Sequence, residues 1–460
     1  MAETIRIVSP VNASIYAERP VANRREIEAA VARAKQARMA WREASVARRA
    51  ASLTRFVDAL LAMNAEIVPE LAWQMGRPVR YGAEARGVEE RARHMIAIAE
   101  AALAPIEKTD KPGFTRFIAR EPLGTMLVIA PWNYPYLTAV NAIVPGLMAG
   151  NAVILKHASQ TLLVGERFAE AARRADLPDG IFQNLVMSHA DTEWLIGSGA
   201  IDHINFTGSV EGGRRIERAA AGTFASLTLE LGGKDPAYVR ADAPFEHTVE
   251  NLVDGAFFNS GQSCCGIERI YVHEQLYDRF VGAYAALSAT YTLGDPLAEA
   301  TVIGPMAQAR SADLVRGQTA AALAGGAKAL LRTRDERDRP ASAYLPAEVL
   351  VGVDHGMAVM REESFGPVVG IMKVRDDDEA VALMNDSPYG LSASIWTADM
   401  DRARTIGARV ETGTVFMNRC DYLDPGLVWT GVKETGKGGS LSEIGYQLLT
   451  QPKSYHLRQV

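Results

Sequence analysis

The sequence predicts an α/β protein with parallel sheets. Short apolar runs rich in β-branched residues lie between Thr125 and Leu231, and helix-like segments separate them. Apolar strands that alternate with helices are typical of a parallel sheet covered on both faces. A second alternation of this kind runs from Val253 to about Ala408. Because 460 residues exceed what one hydrophobic core usually serves, we expect two or three domains.

The N-terminal third is predicted to be helical. Asn23 and Glu26 have the spacing of a capping box, and the apolar residues after them fall on one helical face. A second helix is predicted from about Val46 to about Met75, ended by Gly76 and the proline that follows two residues later. The strands predicted further along are Met126–Ala130, Ala152–Leu155, Ile181–Val186, Ile201–Phe206, Leu227–Leu231, Arg269–Val272, Val368–Val374 and Ser392–Trp396.

Composition excludes several classes of function. A net charge of −6 and a pI near 5.9 give no basic surface for nucleic acid. No apolar stretch is long enough for a membrane span, and the first residues lack the pattern of a secretory signal. Three cysteines, two of them adjacent, cannot form a disulfide framework, so we expect a reducing cytoplasm. No residues have the paired spacing of zinc ligands, and no metal site is predicted.

The most informative segment is Gly-Gln-Ser-Cys-Cys, which contains Cys264 and follows an apolar run. A thiol becomes a working nucleophile only with an activating environment, a base and a partner for the oxyanion. Glu230, in Leu-Glu-Leu-Gly-Gly-Lys, and Asn133, in Pro-Trp-Asn-Tyr-Pro, are candidates for the last two roles. Each residue also has a plainer, structural interpretation. These are a buried structural cysteine for Cys264, a solvated carboxylate at a strand end for Glu230, and the amide of an Asx turn for Asn133.

Together these three segments resemble the aldehyde dehydrogenase superfamily, and further matching segments extend the resemblance over nearly the whole chain. It implies that Cys264 attacks the aldehyde carbon, that Asn133 and the backbone N–H of Cys264 stabilise the oxyanion, and that Glu230 is the general base. Hydride then leaves for a nicotinamide, and the thioester is hydrolysed to an acid. Family members that pass the thioester to coenzyme A lack this glutamate, so Glu230 favours hydrolysis.

The resemblance also implies NAD or NADP as cofactor. No Gly-x-Gly-x-x-Gly follows the first predicted strand, but the family does without that motif. A Phe-Thr-Gly-Ser-x-x-x-Gly turn at 206–213 opens a predicted helix, and helix N-termini favour phosphate. The residues that match the family's cofactor contacts are Trp132, Lys156, Ser159, Gly208, Ser209, Gly213, Glu363 and Phe365.

One cofactor segment departs from the family. The usual Lys-Pro-Ser/Ala-Glu reads Lys156-His157-Ala158-Ser159, and the family glutamate holds the ribose hydroxyls and repels a 2′-phosphate. Ser159 removes that charge, so a 2′-phosphate becomes tolerable beside Lys156, with His157 near enough in sequence to contribute. This predicts dual use of NAD and NADP and leaves open which cofactor predominates.

The substrate is expected to be a small-molecule aldehyde with polar character. Tentative substrate residues are Tyr134, Thr138, Asn141, Cys265 and Arg419. Thr138 and Asn141 stand where the family's tunnel wall is often bulkier and more apolar. Arg419 has two interpretations: a loop arginine paired with Asp421 or Asp424, or a cation in the tunnel that prefers aldehydes carrying a carboxylate, such as semialdehydes.

By resemblance the architecture is a Rossmann-type dinucleotide-binding domain (1–110 and 123–231), an α/β catalytic domain (232–440) and a small β oligomerisation arm (111–122 and 441–460). The arm would otherwise expose a sheet edge, so a homodimer or homotetramer is expected. Two other functions remain as alternatives. A cysteine acyl hydrolase would need an activating histidine near Cys264, and a catalytically retired scaffold would be expected to have lost Cys264, Glu230 or Asn133, all of which are present.

Overall fold

The computed structural model describes residues 3–331 and 335–460. Its strands, in chain order, are β1 (Thr4–Val8), β2 (Ile15–Pro20), β3 (Ile106–Glu107), β4 (Phe114–Pro122), β5 (Thr125–Ala130), β6 (Ala152–His157), β7 (Phe182–Asn184), β8 (His203–Thr207), β9 (Ser226–Glu230), β10 (Asp235–Val239), β11 (Ile267–His273), β12 (Lys328–Ala329), β13 (Glu348–Val351), β14 (Val368–Val374), β15 (Tyr389–Gly390), β16 (Ser392–Trp396), β17 (Thr414–Met417), β18 (Val432–Lys433), β19 (Gly436–Lys437) and β20 (Thr450–Arg458).

The α-helices of the same described ranges are α1 (Arg24–Glu43), α2 (Val46–Leu61), α3 (Asn64–Met75), α4 (Ala85–Ala102), α5 (Pro135–Met148), α6 (Leu162–Arg174), α7 (His189–Gly197), α8 (Val210–Ala220), α9 (Phe245–Phe257), α10 (Tyr277–Ser288), α11 (Ala309–Ala324), α12 (Ala358–Arg361), α13 (Asp377–Asn385), α14 (Met400–Gly407) and α15 (Ser442–Leu448). None of these helices is long and apolar enough to span a membrane.

The first large sheet has the strand order β19-β9-β8-β5-β6-β7. Strands β5 to β9 are parallel, and every residue of β5 and β6 is buried, as expected when helices cover both faces. The carboxyl ends of β5, β6, β8 and β9 therefore lie at one edge. That edge carries the segments after Ala130 and Thr207 together with Lys156 and Glu230, and this is where parallel α/β sheets bind ligands.

The second large sheet has the order β12-β13-β14-β11-β10-β16-β17 and is parallel except for β12. The segment with Cys264 lies between α9 and β11 of this sheet. A third sheet of β20, β4 and β3 is antiparallel, and β4 and β20 pair along nine residues each. Before the chain reaches β20 it returns to the first sheet, where β19 pairs with Leu229 and Glu230. The structure confirms the α/β class.

The predicted helix ends are only partly right. The capping box of Asn23 and Glu26 is confirmed, and Gly76 ends α3 with a left-handed backbone (φ 81°). The single helix predicted from Val46 to Met75 is wrong, because the chain breaks between α2 and α3. Met63 forms this break and its side chain is fully buried. The apolar pattern continues through the break, and no glycine or proline marks it.

Candidate active site

Cys264 and Glu230 line one cavity of about 220 Å³. Thr207 lines this cavity and also a groove of about 510 Å³ along the carboxyl edge of the first sheet, so the two spaces adjoin. The site therefore combines a thiol, a carboxylate and an elongated groove in one place.

The segment that leads to Cys264 has an unusual backbone. Asn259, Ser260 and Gly261 are consecutive residues with left-handed φ angles of 54°, 58° and 70°. Such angles are costly for residues other than glycine and persist only where neighbouring contacts hold them. The Gln262 side chain supplies two of these contacts: Oε1 accepts from Ala307 N at 2.8 Å, and Nε2 donates to Asn259 O at 3.1 Å.

Arg77 connects this segment to the loop of Asn133. Its Nε donates to Asn259 Oδ1 at 3.2 Å and Nη2 donates to the Asn133 carbonyl at 2.6 Å. The same guanidinium forms an ion pair with Glu84, and both side chains are 3 % exposed. The other carboxylate oxygen of Glu84 accepts from Tyr136 N and Leu137 N at 3.0 and 2.8 Å, which anchors the first turn of α5. Sequence analysis placed Arg77 only at a helix end.

Asn133 lies beside the nucleophile segment but is not among the residues that line the cavity. Its Nδ2 donates to the carbonyl of Gln262 at 3.2 Å, two residues before Cys264. A primary amide carries two N–H donors, and this bond uses one of them. Asn133 is therefore held against the segment that carries Cys264, with one N–H that can bind another oxygen.

Glu230 is the last residue of β9 and contributes its side chain to the cavity. Burial raises the pKa of Glu230, because a low-dielectric environment disfavours the charged carboxylate. A carboxylate with a raised pKa is suited to take up a proton near neutral pH.

Cys265 and Asp421 form a second pair in the same cavity. Cys265 Sγ donates to Asp421 Oδ1 at 2.9 Å, and Ser263 Oγ donates to the same oxygen at 3.0 Å. Burial raises the pKa of Asp421 to about 6. Sequence analysis named Asp421 only as an ion-pair partner for Arg419.

The cavity wall is rich in polar groups that lack protein partners. Arg91 of α4 is 9 % exposed, and its recorded hydrogen bond is a 3.4 Å contact with the Leu137 carbonyl. Among the described residues no carboxylate lies within ion-pair distance of Arg91. Both amide atoms of Asn141 and the Tyr134 hydroxyl are buried and have no hydrogen-bond partner in the part of the chain that the structure describes, while Thr138 donates to Tyr134 O at 2.6 Å. This wall suits a polar ligand.

Sequence analysis missed Arg91, although the sequence contains a signal for it. Val88, Ala92, Met95 and Ala99 form the buried stripe of α4, and Arg91 stands on that stripe. A charged residue at a core position of an amphipathic helix needs a polar partner or a functional site.

The tunnel interpretation of Arg419 is wrong. Arg419 is exposed, does not line the cavity, and its guanidinium stacks 3.4 Å from the ring centre of Tyr422. The expected ion pairs with Asp421 or Asp424 are also absent from the described residues. The segment contains two left-handed residues, Asn418 (φ 53°) and Asp421 (φ 49°), and it is Asp421 rather than Arg419 that lines the cavity.

The groove is lined by five of the predicted cofactor residues: Trp132, Lys156, Ser159, Gly208 and Ser209. Ser209 caps α8 by accepting from Gly212 N at 3.2 Å, so the N-terminus of a helix faces the groove. Burial lowers the pKa of Lys156 to about 8. Arg215 also lines the groove, where its Nε donates to Glu193 at 2.7 Å. An elongated groove with a helix N-terminus and a lysine fits a dinucleotide.

The expectation that His157 contributes to binding of a 2′-phosphate is wrong. His157 is 2 % exposed and does not line the groove. Its ring nitrogens contact the Pro135 carbonyl and the Thr161 hydroxyl, both at 3.2 Å. Burial lowers the pKa of His157 to about 4, so the ring is neutral at pH 7 and cannot pair with a phosphate.

The other three predicted cofactor residues, Gly213, Glu363 and Phe365, are not among the residues that line the groove. Gly213 packs against Leu231, and a Cβ at this glycine would overlap that side chain. Glu363 Oε1 accepts from Gly233 N at 2.9 Å, and burial raises the pKa of Glu363 to about 7. Phe365 meets Trp132 edge to face, with ring centres 5.5 Å apart.

A buried ion pair supports the loop of Glu363 and Phe365. Lys234 forms an ion pair with Glu268 and donates to Ser364 Oγ at 3.0 Å. The Glu268 carboxylate also accepts from Ser364 N and Phe365 N, each at 2.9 Å. In residues 3–331 and 335–460 we find no cluster of three or more His, Cys, Asp or Glu side chains that could hold a metal ion.

Comparison with known proteins places this site in a family. The sequence profile of the aldehyde dehydrogenase family matches residues 1–455. Geranial dehydrogenase of Castellaniella defragrans is 34% identical over 95% of this chain and 92% of its own. Succinate semialdehyde dehydrogenase [NAD(P)+] Sad of Escherichia coli is 33% identical over 95% of this chain and 94% of its own.

A solved structure agrees with these sequence matches. NADP-dependent glyceraldehyde-3-phosphate dehydrogenase of Bacillus halodurans, complexed with NADP, has a TM-score of 0.93 at 32% identity and covers 100% of this chain and 96% of its own. The resemblance inferred from the three motifs is confirmed. The chain belongs to the aldehyde dehydrogenase family and is an oxidoreductase that acts on aldehydes with NAD or NADP.

Proposed function

We propose that the enzyme oxidises an aldehyde that carries a carboxylate to the corresponding acid, through a thioester on Cys264. The observation that carries this proposal is the shared cavity of Cys264, Glu230 and Arg91, which adjoins the cofactor groove at Thr207. A cysteine acyl hydrolase is not favoured, since no histidine of the described residues lines the cavity.

The first step is attack of the Cys264 thiolate on the aldehyde carbon, which forms a C–S bond and places negative charge on the aldehyde oxygen. The unused N–H of the Asn133 amide and the backbone N–H of Cys264 stabilise that charge. Removing one such donor from an enzyme typically costs about 3 kcal/mol of transition-state stabilisation. The same carbon would then lose hydride, which is the chemistry that a nicotinamide cofactor held in the groove of Lys156 and Ser209 would supply, and the carbon would remain on Cys264 as a thioester.

The second step is hydrolysis. Glu230 takes a proton from a water molecule that attacks the thioester carbon, the C–S bond breaks, and the Cys264 thiolate and the acid are released. Because burial raises the pKa of Glu230, this carboxylate binds the proton more readily than a solvated one.

Cys264→Ala is expected to abolish formation of reduced cofactor, because no bond to the aldehyde carbon can form. The measurement is absorbance at 340 nm with NAD or NADP and a panel of propanal, hexanal, benzaldehyde, betaine aldehyde and succinate semialdehyde. Cys420→Ala, which changes a cysteine that does not line the cavity, is the matched control and should retain activity. Residual turnover by the Cys264 variant at the wild-type rate would contradict the proposed chemistry.

Arg91 is the residue we propose for recognition of the substrate carboxylate. It is the one cation among the described residues that line the cavity, and its planar donors fit a carboxylate. Three carboxylates line the same wall: Asp421 accepts two hydrogen bonds, Asp254 accepts from Tyr291 at 3.4 Å, and Glu230 lies near enough to Arg91 to interact with its charge without forming an ion pair. The name of the Escherichia coli relative, a succinate semialdehyde dehydrogenase, supports a substrate of this class.

Arg91→Met is expected to lower kcat/KM for succinate semialdehyde about 10- to 100-fold, which is the loss of one hydrogen-bonded charge contact. The value for hexanal should change much less, because hexanal has no group for the guanidinium. Arg419→Met removes an exposed arginine outside the cavity and should leave both values unchanged. An equal loss with both aldehydes would mean that Arg91 has a structural role only.

For the cofactor we propose that both NAD and NADP are used. Lys156 and Ser159 line the groove, and Ser159 carries no charge that would repel a 2′-phosphate. Arg215 is a second cation of the groove, although Glu193 offsets its charge. Because His157 is buried and neutral, the groove residues that could contact a 2′-phosphate are Lys156, Ser159 and the arginines Arg215 and Arg310.

Ser159→Glu is expected to lower kcat/KM for NADP at least tenfold relative to NAD, because a carboxylate would then face the 2′-phosphate. Kinetics with each cofactor at saturating aldehyde give the ratio. Ser159→Ala serves as the control, since it removes the hydroxyl without adding charge. Equal effects of the two substitutions on the ratio would contradict the electrostatic argument.

We further propose three domains: a dinucleotide-binding domain (1–110 and 123–231), a catalytic domain (232–440) and an oligomerisation arm (111–122 and 441–460). We also propose that the enzyme is a cytoplasmic homodimer or homotetramer. Strand β20 lies at the edge of the third sheet, and Leu457 on it is 54 % exposed. An exposed strand edge with an apolar side chain is suited to pairing with another subunit. Light scattering should give a mass of at least twice 49.7 kDa, and a monomeric mass at micromolar concentration would overturn this proposal.

A further inference from the structure

We propose that Asp421 determines which of the two adjacent thiols is the nucleophile, by keeping Cys265 protonated through a hydrogen bond so that Cys264 alone reacts. This inference rests on the proposed function in which Cys264 attacks the aldehyde. Asp421 is a positioning residue in this proposal, since it acts through Cys265.

The geometry around the nucleophile carries the inference. The residues on either side of Cys264 both direct their side chains to Asp421 Oδ1, with Ser263 Oγ at 3.0 Å and Cys265 Sγ at 2.9 Å. An S–H can donate to a carboxylate only while the sulfur is protonated. A thiolate on Cys265 would instead face a carboxylate at hydrogen-bond distance, without a proton between them.

The surroundings of Cys265 act in the same direction. Its side chain is 3 % exposed, and burial disfavours a thiolate. A hydrogen bond with Cys264, burial and the charge of Asp421 together hold the pKa of Cys265 well above its ordinary value. The positive charge of Arg91 in the cavity wall acts in the opposite direction, because it favours a thiolate on Cys265.

Asp421 is held in place from a separate part of the fold. Asp421 and Asn418 both have left-handed backbones, with φ of 49° and 53°. Such conformations persist only where other contacts determine them. The Asn418 side chain provides these contacts, because Oδ1 accepts from Thr397 N at 3.0 Å and Nδ2 donates to Thr397 O at 2.8 Å. The turn after β17 therefore presents the carboxylate to the nucleophile segment.

The inference is tested by alkylation with iodoacetamide, in which a thiolate forms a bond to the methylene carbon and iodide leaves. The protein is treated at pH 8 with reagent at limiting times, and peptide mass spectrometry gives the rate of modification at each cysteine. In the wild type Cys264 should react at least about tenfold faster than Cys265, since reaction requires the thiolate. In Asp421→Ala this ratio should fall at least fivefold, because Cys265 loses its acceptor.

Ser263→Ala is the matched control, since it removes the other donor to Asp421 and leaves the Cys265 contact in place. Its ratio should stay at the wild-type value. An unchanged ratio in Asp421→Ala, in protein that keeps the wild-type thermal midpoint and still binds cofactor, would overturn the proposal.

A second measurement decides the matter if Asp421→Ala does not fold. In Cys264→Ala, with Asp421 intact, Cys265 is the remaining cavity thiol and should react at least about tenfold slower than Cys264 does in the wild type. Equal rates would overturn the proposal. Both experiments are independent of dehydrogenase activity, so a lack of turnover with every aldehyde would count against the proposed function while the alkylation ratio still tests the role of Asp421.

Discussion

The geometry of the site depends on the hydrogen bonds and the ion pair of the buried Arg77 guanidinium. It joins the end of α3, the loop of Asn133 and the strained segment at Asn259, which are far apart in sequence. Glu84 neutralises Arg77 and binds the first backbone N–H groups of α5. A buried charge is tolerated only when its partners are all present, so these segments hold one another in place. The nucleophile segment and the amide beside it are therefore positioned by one cation.

The reacting groups come from different parts of the two large sheets. Glu230 and Lys156 lie at the carboxyl edge of the first sheet because parallel strands end there, which follows from the strand–helix alternation alone. Cys264 comes from the segment before β11 of the second sheet, and Asp421 from the turn after β17. The pair of Lys234, directly before β10, and Glu268 of β11 anchors the loop of Phe365 to the second sheet. The reaction site thus requires both sheets in one fixed arrangement.

The sequence predicted those features of the fold and site that depend on contiguous residues. Eight strands of the two large sheets and the turn at Gly208 were predicted, because short motifs and apolar periodicity specify them. Strands β10, β12, β13, β17 and β19 of these sheets were not predicted. Arg91 and Asp421 were missed because each is recognisable only by what the fold brings beside it, and His157 was misjudged because sequence distance says nothing about burial. Arg419 was misjudged for a related reason, since the sequence does not show which residues of the turn after β17 face the cavity.

The state of Arg91 explains how a cavity of this size can favour one substrate class. Its guanidinium remains charged, although burial lowers its pKa, and its recorded partner is one long contact with a carbonyl. Folding has therefore already removed much of the water from this cation, while no described residue forms a direct ion pair with it. A carboxylate that enters the cavity loses its own hydration but meets a fixed and poorly solvated charge, so its attraction exceeds that of a similar pair in water. An aldehyde without a carboxylate would leave the cation unpaired and would gain nothing from it. The free energy that desolvation of Arg91 costs during folding can thus contribute to selectivity for a carboxylate when the substrate binds.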